Sequence, residues 1–357
     1  MIIDIVKVFV PAVITFAIGI IATPFLTNYL YAHSMWKKKA GKVDMSGNAT
    51  PIFNELHKEK EVGTPRMGGI IIWFSAIVSI LGFFVLDHIL PYVTFEKLDF
   101  LSRDQTWIPL ATLIVGAVVG LIDDYLEIRG SRNHIAGGLS LKVRLFIIGM
   151  LGLLIGWWFY GKLDVTGIGL PGGSFLPLGV LMIPFTSLLM LFLYSSGVID
   201  GIDGLAGGIF ATIFAAYAGI AFYQNQINLA AFCTVVVGGI LAFLWFNIPP
   251  ARFYMSETGS MALTITLAVV VLMTDKLGEG YGVIVLPIIA FPLVATTLSV
   301  IIQTLSKRFR AGKKVFRVAP IHHHFEALGW PSYKVTMRYW VIGVICAILG
   351  LSLALIG

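Results

Sequence analysis

Residues Ile71 to Leu86 read IIWFSAIVSILGFFVL and contain no charged side chain. Apolar residues follow one another here without the alternation that a strand of a membrane β-barrel needs, so the stretch predicts a membrane-spanning helix. Runs of about 20 apolar residues recur along the 357-residue chain. Only 12% of its residues are charged, about half the usual share for a soluble domain. The composition therefore excludes a soluble globular protein.

Working outward from this stretch, we predict an all-α, polytopic membrane protein with one membrane-embedded domain over residues 1–357. The N-terminal run is too long for a signal peptide, so we expect it to be the first span. Cys233 and Cys346 lie within apolar runs and are expected to be small core residues. The ten predicted spans are 5–31, 67–90, 107–124, 143–160, 178–198, 204–223, 228–248, 259–274, 281–305 and 335–356.

The distribution of basic residues predicts the orientation. Of the 25 Lys and Arg, 18 lie in the segments after the odd-numbered spans, and Arg144 and Arg338 lie at the start of the spans that follow such segments. The positive-inside rule places those segments in the cytoplasm, so ten spans put both termini on the extracytoplasmic side. A basic surface can also bind nucleic acid, but topology and anionic lipid headgroups explain this one better, and we expect no nucleic-acid partner.

The acidic residues cluster on the same predicted side. Asp123 and Asp124 end the third span, Asp200 and Asp203 lie between the fifth and sixth, and Glu257 precedes the eighth. A lone acid of this kind is commonly a helix cap or a solvated interfacial charge. Several acids from separate segments of one face instead favour a cytoplasmic active site, because acids at membrane depth are costly. Asp200 and Asp203 share a helix face if a helix begins there.

Clustered carboxylates repel one another unless a cation joins them. Oxygen ligands without cysteine favour Mg²⁺, with Mn²⁺ as the alternative. Of the adjacent pair Asp123 and Asp124, one is expected to bind and the other to orient.

Other polar residues fit an anionic substrate, each with a plainer alternative. GTPRMGG (63–69) precedes a helix and could bind phosphate, although an ordinary loop is the better interpretation. Lys142 could contact phosphate or mark the end of a span. Asn247 and Tyr254 could bind and stack a base or pack at the interface.

The segment PIHHHFEALGW (320–330) holds His322, His323 and His324. Three adjacent residues rarely ligate one zinc ion, so donation from the imidazoles to phosphate oxygens is the favoured interpretation. A solvated histidine-rich loop is the alternative. The segment between the last two spans is also expected to contain a short helix.

These motifs, in this order, resemble the polyprenyl-phosphate N-acetylhexosamine-1-phosphate transferases. PIHHHFE followed by GW resembles the phospho-MurNAc-pentapeptide transferase (MraY) branch, and the likeness extends from about Lys58 to the C-terminus. The resemblance implies a bacterial plasma-membrane enzyme that needs Mg²⁺. Its implied substrates are UDP-MurNAc-pentapeptide and undecaprenyl phosphate, its products lipid I and UMP, and its quaternary structure a homodimer.

The resemblance also implies roles for individual residues. Asp123 matches the acid that engages the lipid phosphate, Asp124 its partner, and Asp200 an acid of the metal and diphosphate site. The full set comprises catalytic Asp123, Asp124, Asp200 and His322; substrate-binding Lys60, Arg66, Lys142, Asp203, Asn247, Tyr254, His323 and His324; and metal ligands Asp200 and Glu257.

The chain departs from the family pattern at several positions. Gly197 and Ile199 stand where the family has Asn and Thr, and Ser256 and Glu257 where it has Gly and Asp. Arg66 replaces a Thr. The usual lysine before that motif is matched by Glu61, with Lys60 one place away. These departures affect the expected metal geometry and donor affinity more than the fold.

Two other functions remain open. A related enzyme could transfer GlcNAc-1-phosphate, although that branch lacks the PIHHHFE motif. A transporter or an inactive lipid-binding protein is the alternative from another class. Transporters place their polar groups near the midplane, whereas the acids here lie at one face.

Overall fold

A computed structural model describes residues 2–37, 62–90, 97–102, 105–130, 138–275 and 280–356. Within these ranges the fold is a bundle of helices with one small hairpin. The elements are α1 (Ile2–Ala32), α2 (Ile70–Ile89), α3 (Trp107–Arg129), α4 (Leu141–Lys162), β1 (Gly167–Leu170), β2 (Ser174–Pro177), α5 (Met182–Ser195), α6 (Leu205–Tyr223), α7 (Ile227–Asn247), α8 (Ser256–Met273), α9 (Gly282–Ile289), α10 (Phe291–Phe309), α11 (Ile321–Ala327) and α12 (Ser332–Ile356). Short 3₁₀ helices, Gly179–Leu181 and Ser196–Ile199, flank α5.

The predicted number of spans agrees with the structure if one broken span is counted. Nine helical stretches of the described chain are long and apolar enough to cross a membrane, and the pair α9 and α10 makes a tenth. The predicted span 281–305 is broken within its length, because α9 and α10 meet at an angle of 73°. Pro292 explains the break, since it lacks an N–H donor and its ring would clash with the carbonyl one turn earlier.

The eighth helix forms the centre of the bundle. In α8 94% of the span is buried inside the protein, against 22% in α1 and 28% in α12. α8 packs against α3 and α5, while α7 packs against α1, α2 and α6. The peripheral helices expose apolar side chains such as Phe9, Phe146 and Val341, which is the pattern of a surface that faces lipid.

Two predicted boundaries differ where the acids lie. α3 does not end at residue 124 but continues to Arg129, and Gly130 then ends it in the left-handed conformation. Asp123 and Asp124 are therefore within the helix.

Asp200 and Asp203 lie on no helix, so the condition for a shared helix face is not met. The 3₁₀ helix ends at Ile199, and α6 begins only at Leu205. Gly204, with φ of +75°, turns the chain between them.

The hairpin of β1 and β2 departs from the all-helical prediction. Its strands pair antiparallel, with Gly167 opposite Pro177, around a turn in which Gly172 and Gly173 both have positive φ. The buried Asp275 fixes the hairpin to the end of α8, because its carboxylate accepts a hydrogen bond of 2.8 Å from the Gly169 amide. The predicted short helix between the last two spans is confirmed as α11.

Candidate active site

The first turn of α8 is the point at which two of the predicted acids meet. Ser256 N donates to Asp200 Oδ2 at 2.9 Å, and Glu257 N to Asp124 Oδ1 at 3.3 Å. Thr258 donates to Asp124 Oδ2 twice, from its amide at 2.8 Å and from its hydroxyl at 2.6 Å. Amides in the first turn of a helix have no partner within the helix and carry partial positive charge. Asp124 and Asp200 therefore cap α8 from outside, and the geometry makes Asp124 an orienting residue.

Glycines allow the surrounding backbones to come this close. A Cβ placed on Gly120 of α3 would lie 2.2 Å from the Glu257 carbonyl oxygen. A Cβ on Gly69 would lie 2.4 Å from the Cα of Gly259. Such distances are far below van der Waals contact, so only glycine fits. These contacts position α8 against α2 and α3.

The GTPRMGG segment has a structural use that accounts for its glycines. Gly68 N donates to the Tyr254 carbonyl at 2.8 Å, and Gly69 N to the Met255 carbonyl at 3.2 Å. Both amides therefore bind the chain that leads into α8 and do not face a phosphate. The plainer interpretation of this segment, a loop, is the one that the geometry favours.

Arg144 of α4 joins two acids from different helices. Its Nη1 donates to Glu257 Oε1 at 2.8 Å and to Asp123 Oδ2 at 3.2 Å. The Leu139 amide donates to the other oxygen of Asp123 at 2.6 Å. Asp123 is buried, and the Arg144 side chain is 16% exposed. One guanidinium thus pairs with both carboxylates.

Arg144 is the main site residue that sequence reasoning missed. The prediction chose Lys142, but Lys142 is exposed. Residues two apart on a helix project in nearly opposite directions, so only one of the two basic residues can face the acids. The signal was the apolar environment of Arg144 in LKVRLF, because a cation within an apolar span needs a partner.

Arg66 and Glu127 form a second ion pair beside Asp124. Arg66 Nη1 contacts Glu127 Oε2 and lies 3.8 Å from Asp124 Oδ1, while Lys37 Nζ lies 3.0 Å from Glu127 Oε1. Glu127 was not predicted, although its spacing of three residues from Asp124 puts both on one face of α3. Arg66 is thus held by carboxylates of α3.

The predicted base-binding residues tie loops together. The Asn247 amide is buried; it accepts from Gly204 N at 2.9 Å and donates to the Phe253 carbonyl at 2.8 Å. Asp203 Oδ2 accepts from Ala251 N at 3.3 Å. These bonds fix the loop of residues 200–204 to the turn before α8.

The histidine segment covers the loop of residues 200–204. His322 and His323 are buried, with ring centroids 4.3 Å apart. A Cβ on Gly201 would lie 2.5 Å from His322 Nε2 and 2.8 Å from His323 Nε2, so both nitrogens approach that loop. His324 lies elsewhere and accepts from the Arg317 amide at 3.1 Å. Partial burial, with Arg317 nearby, lowers the pKa of His324.

The structure therefore brings together acids and histidines from four segments. Asp123, Asp124, Asp200, Glu257 and His322–His323 converge around the start of α8. Lys142 and His324 lie outside this cluster, and Tyr254 is partly exposed beside it. The predicted Lys60 is outside the described residues.

The acids suit a divalent cation that the substrate helps to bind. Among the residues that the structure describes, no group of three or more His, Cys, Asp or Glu is arranged to hold a metal ion. Mg²⁺ usually takes one or two carboxylates and completes its shell with water and substrate phosphate. Asp200 and Glu257 fit that requirement, since both offer carboxylate oxygens and Asp200 contacts the residue before Glu257.

Known proteins resemble this chain along most of its length. A model of the family described as Glycosyl transferase family 4 matches residues 106–275, which include α3 through α8. The phospho-N-acetylmuramoyl-pentapeptide-transferase of Chloroflexus aurantiacus is 33% identical over 334 residues, covering 90% of this chain and 85% of the relative. The proteins of that name from a Geobacillus species and from Bacillus anthracis are 36% and 35% identical, and each match covers 82% of this chain and 84% of the relative.

The family-model match contains Asp123, Asp124, Asp200, Glu257, Arg144 and Gly120. Identity of about one third over more than four-fifths of both chains exceeds what a shared fold alone requires. With its membrane-spanning helices, the protein is a multi-pass membrane phospho-sugar transferase. The chain belongs to the phospho-N-acetylmuramoyl-pentapeptide-transferase family.

Proposed function

We propose that the protein transfers phospho-MurNAc-pentapeptide from UDP-MurNAc-pentapeptide to undecaprenyl phosphate, giving lipid I and UMP. The observation that carries the proposal is the cluster around α8. There a buried acid, Asp123, shares Arg144 with Glu257. Asp200 is bonded to the first turn of the same helix, α8, and two buried histidines lie against Gly201, the residue after Asp200. Family membership supplies the substrate class.

The cluster suits phosphoryl transfer, which needs positioning and charge neutralisation more than covalent chemistry. In the proposed reaction an oxygen of undecaprenyl phosphate attacks the sugar-bearing phosphorus of the donor. A new P–O bond forms, the diphosphate P–O bond breaks, and UMP leaves with the bridging oxygen. We favour direct attack, because a phosphate monoester is already an anionic nucleophile.

The residues then have separate tasks. Asp123, held by Arg144 and the Leu139 amide, keeps its carboxylate at the acceptor phosphate and takes a proton from it where one is present. His322 and His323 donate to oxygens of the donor diphosphate. Asp124 keeps the first turn of α8 in place. A Mg²⁺ ion bound at Asp200 and Glu257 would neutralise the charge that develops on the leaving UMP.

The proposed location is the cytoplasmic face of a bacterial plasma membrane. Most basic residues lie in segments predicted on the same side as the acids and histidines, which supports this orientation. Anionic lipid headgroups would contact the same surface. A homodimer is proposed from family resemblance alone.

An inactive homologue is the second candidate, because two family-typical groups are absent. Gly197 lacks the usual amide, and Glu257 is one methylene longer than the usual Asp. A Cβ on Gly197 would lie 3.6 Å from the Ser260 Cβ, an ordinary contact, so Gly197→Asn fits and can restore the amide.

The deciding experiment is UMP release by purified protein in detergent. The assay contains undecaprenyl phosphate and either UDP-MurNAc-pentapeptide or UDP-GlcNAc, with and without Mg²⁺. Release that requires the muramoyl donor, the lipid and Mg²⁺ supports the proposal, whereas release from UDP-GlcNAc assigns the other sugar. If the folded protein releases no UMP and the Gly197→Asn variant does, the result supports the hypothesis of an inactive homologue.

Point variants test the assignment of the residues. Asp123→Ala, Asp200→Ala and His322→Ala should each abolish release without unfolding the protein. Asp87→Ala is the matched control, because Asp87 lies near the far end of α2, about 25 Å along the helix from Gly69. Full activity in any of the three variants removes that residue from the mechanism.

A further inference from the structure

Glu326 is a buried carboxylate that the mechanism above does not use. Its side chain is 4% exposed, and each oxygen has a different partner. Oε2 lies 2.7 Å from His323 Nδ1, and Oε1 accepts from the Ser332 hydroxyl at 2.6 Å. Burial of a carboxylate is costly unless it is paired, so this arrangement implies a use for the charge.

The pairing fixes the orientation of the His323 ring. A carboxylate is an acceptor only, so Nδ1 of His323 carries the proton in the bond to Glu326. The opposite nitrogen, Nε2, then points away from Glu326 and approaches Gly201, next to Asp200. A second partner of this kind commonly sets the tautomer and direction of a histidine at a functional site.

The neighbouring His324 shows the opposite arrangement. Its Nδ1 accepts a hydrogen bond from the Arg317 amide, so that nitrogen carries no proton. Burial and Arg317 lower the pKa of His324, which favours the neutral ring. Nδ1 thus carries a proton in His323 and none in the adjacent His324, and only His323 is bonded to Glu326.

We propose that Glu326 is a positioning residue that holds His323 as an imidazolium whose Nε2–H faces the loop of residues 200–204, ready to donate to a phosphate oxygen of the substrate. The proposal rests on the proposed function for the identity of that phosphate. The titratable groups in contact with His323 are Glu326 and His322, both on α11. Tyr339 of α12 contacts His322, and on the loop of residues 200–204 the His323 ring approaches Gly201.

The test uses Glu326→Gln, which keeps the size of the side chain and removes its charge. Without the carboxylate the imidazolium is less stable, so it loses its proton at lower pH. We expect the alkaline limb of the kcat/KM profile to move down by about one pH unit, which lowers the rate above that limb about tenfold. Glu326→Asp keeps the carboxylate, so its profile should lie between those of Glu326→Gln and the unmodified protein.

A structural role for Glu326 predicts a different result. It would lower the rate by the same factor at every pH and lower the melting temperature in parallel. A profile of Glu326→Gln that is merely scaled, or that superimposes on the unmodified one, overturns the proposal. If Glu326→Gln does not fold, Glu326→Asp, which keeps the charge on a shorter side chain, should shift the profile in the same direction by less.

A substrate-free measurement separates this proposal from the proposed function. Nitrogen-15 NMR of histidine-labelled protein in detergent, with His323→Gln to assign the signal, reports the protonation of both ring nitrogens. We expect both nitrogens of His323 to be protonated at neutral pH and Nε2 to lose its proton first in Glu326→Gln. A neutral His323 at neutral pH overturns the proposal whichever donor the enzyme uses.

Discussion

Ser256 has a backbone conformation that suits glycine. Its φ is +58°, in the left-handed region, and it stands where the family has Gly. Its amide bonds Asp200, so the conformation is held by a contact at the centre of the site. A left-handed conformation costs a residue with a side chain about 1–2 kcal/mol.

We therefore predict that Ser256→Gly stabilises the protein. Relief of the strain exceeds the extra entropy that glycine gives the unfolded chain, about 0.5–1 kcal/mol, so the free energy of unfolding should rise by about 0.5–1 kcal/mol. Thermal unfolding in detergent measures it. Ser256→Ala is the matched control, because it keeps the strain, and should give no increase. An equal gain from both variants would place the effect in the hydroxyl group.

Arg144 is the residue whose loss should most disturb the acids. With Arg144→Gln, Asp123 and Glu257 lose the cation that both contact, so they repel each other or take up a proton. We expect UMP release to fall about 10- to 100-fold, the usual cost of removing a group that orients a site. Arg144→Lys should be intermediate, since it keeps the charge but not the planar fork.

Lys142→Gln is the control for stability in this experiment. Lys142 lies on the same helix but is exposed, so the melting temperature of the Lys142→Gln variant should equal that of the unmodified protein. A wild-type rate in Arg144→Gln would show that the contact seen between the three side chains has no part in turnover.

At the scale of elements, the contact of α3 with α8 depends on one missing side chain. A Cβ on Gly120 would overlap the carbonyl of Glu257, which is backbone and cannot rotate away. We predict that Gly120→Ala displaces the first turn of α8, weakens its capping by Asp124 and lowers both the melting temperature and UMP release. The expected loss is about 1–3 kcal/mol of stability, as for other overpacked positions.

Gly82→Ala provides the matched control for this prediction. Gly82 lies within α2, and a Cβ there would meet no atom within 4 Å. Alanine should therefore be neutral or stabilise the helix by up to about 1 kcal/mol. Equal losses in the two variants would mean that the close approach of α3 and α8 does not set the cost.

Local patterns predicted much of this fold, because apolar length alone identifies a membrane span. They could not predict the break before Pro292 or the end of α3 at Arg129, since a proline or a charged turn is compatible with several geometries. For the site, the acids were predicted from their cost within a membrane, and the histidines from their donor chemistry and the family resemblance. The partners Arg144, Glu127 and Glu326 were missed, because pairing depends on which helices become neighbours.

The whole molecule has a polar end and a charge asymmetry that together imply one orientation. The start of α8, the 200–204 loop and α11 form one end of the bundle, and most Lys and Arg lie in segments that are predicted on that same side. The opposite end carries the hairpin of β1 and β2 and few basic residues. Because positively charged segments remain in the cytoplasm, we predict that the hairpin end faces outward.

Cysteine labelling in right-side-out membrane vesicles measures this orientation. The native Cys233 and Cys346 are first replaced by alanine, and a single cysteine is introduced at Lys162 or at Lys313, both exposed. A membrane-impermeant maleimide should label Lys162→Cys in intact vesicles and Lys313→Cys only after permeabilisation. The reverse pattern would put the acids and histidines outside the cell, where a nucleotide-activated sugar made in the cytoplasm cannot reach them, and would contradict the proposed reaction as well as the topology.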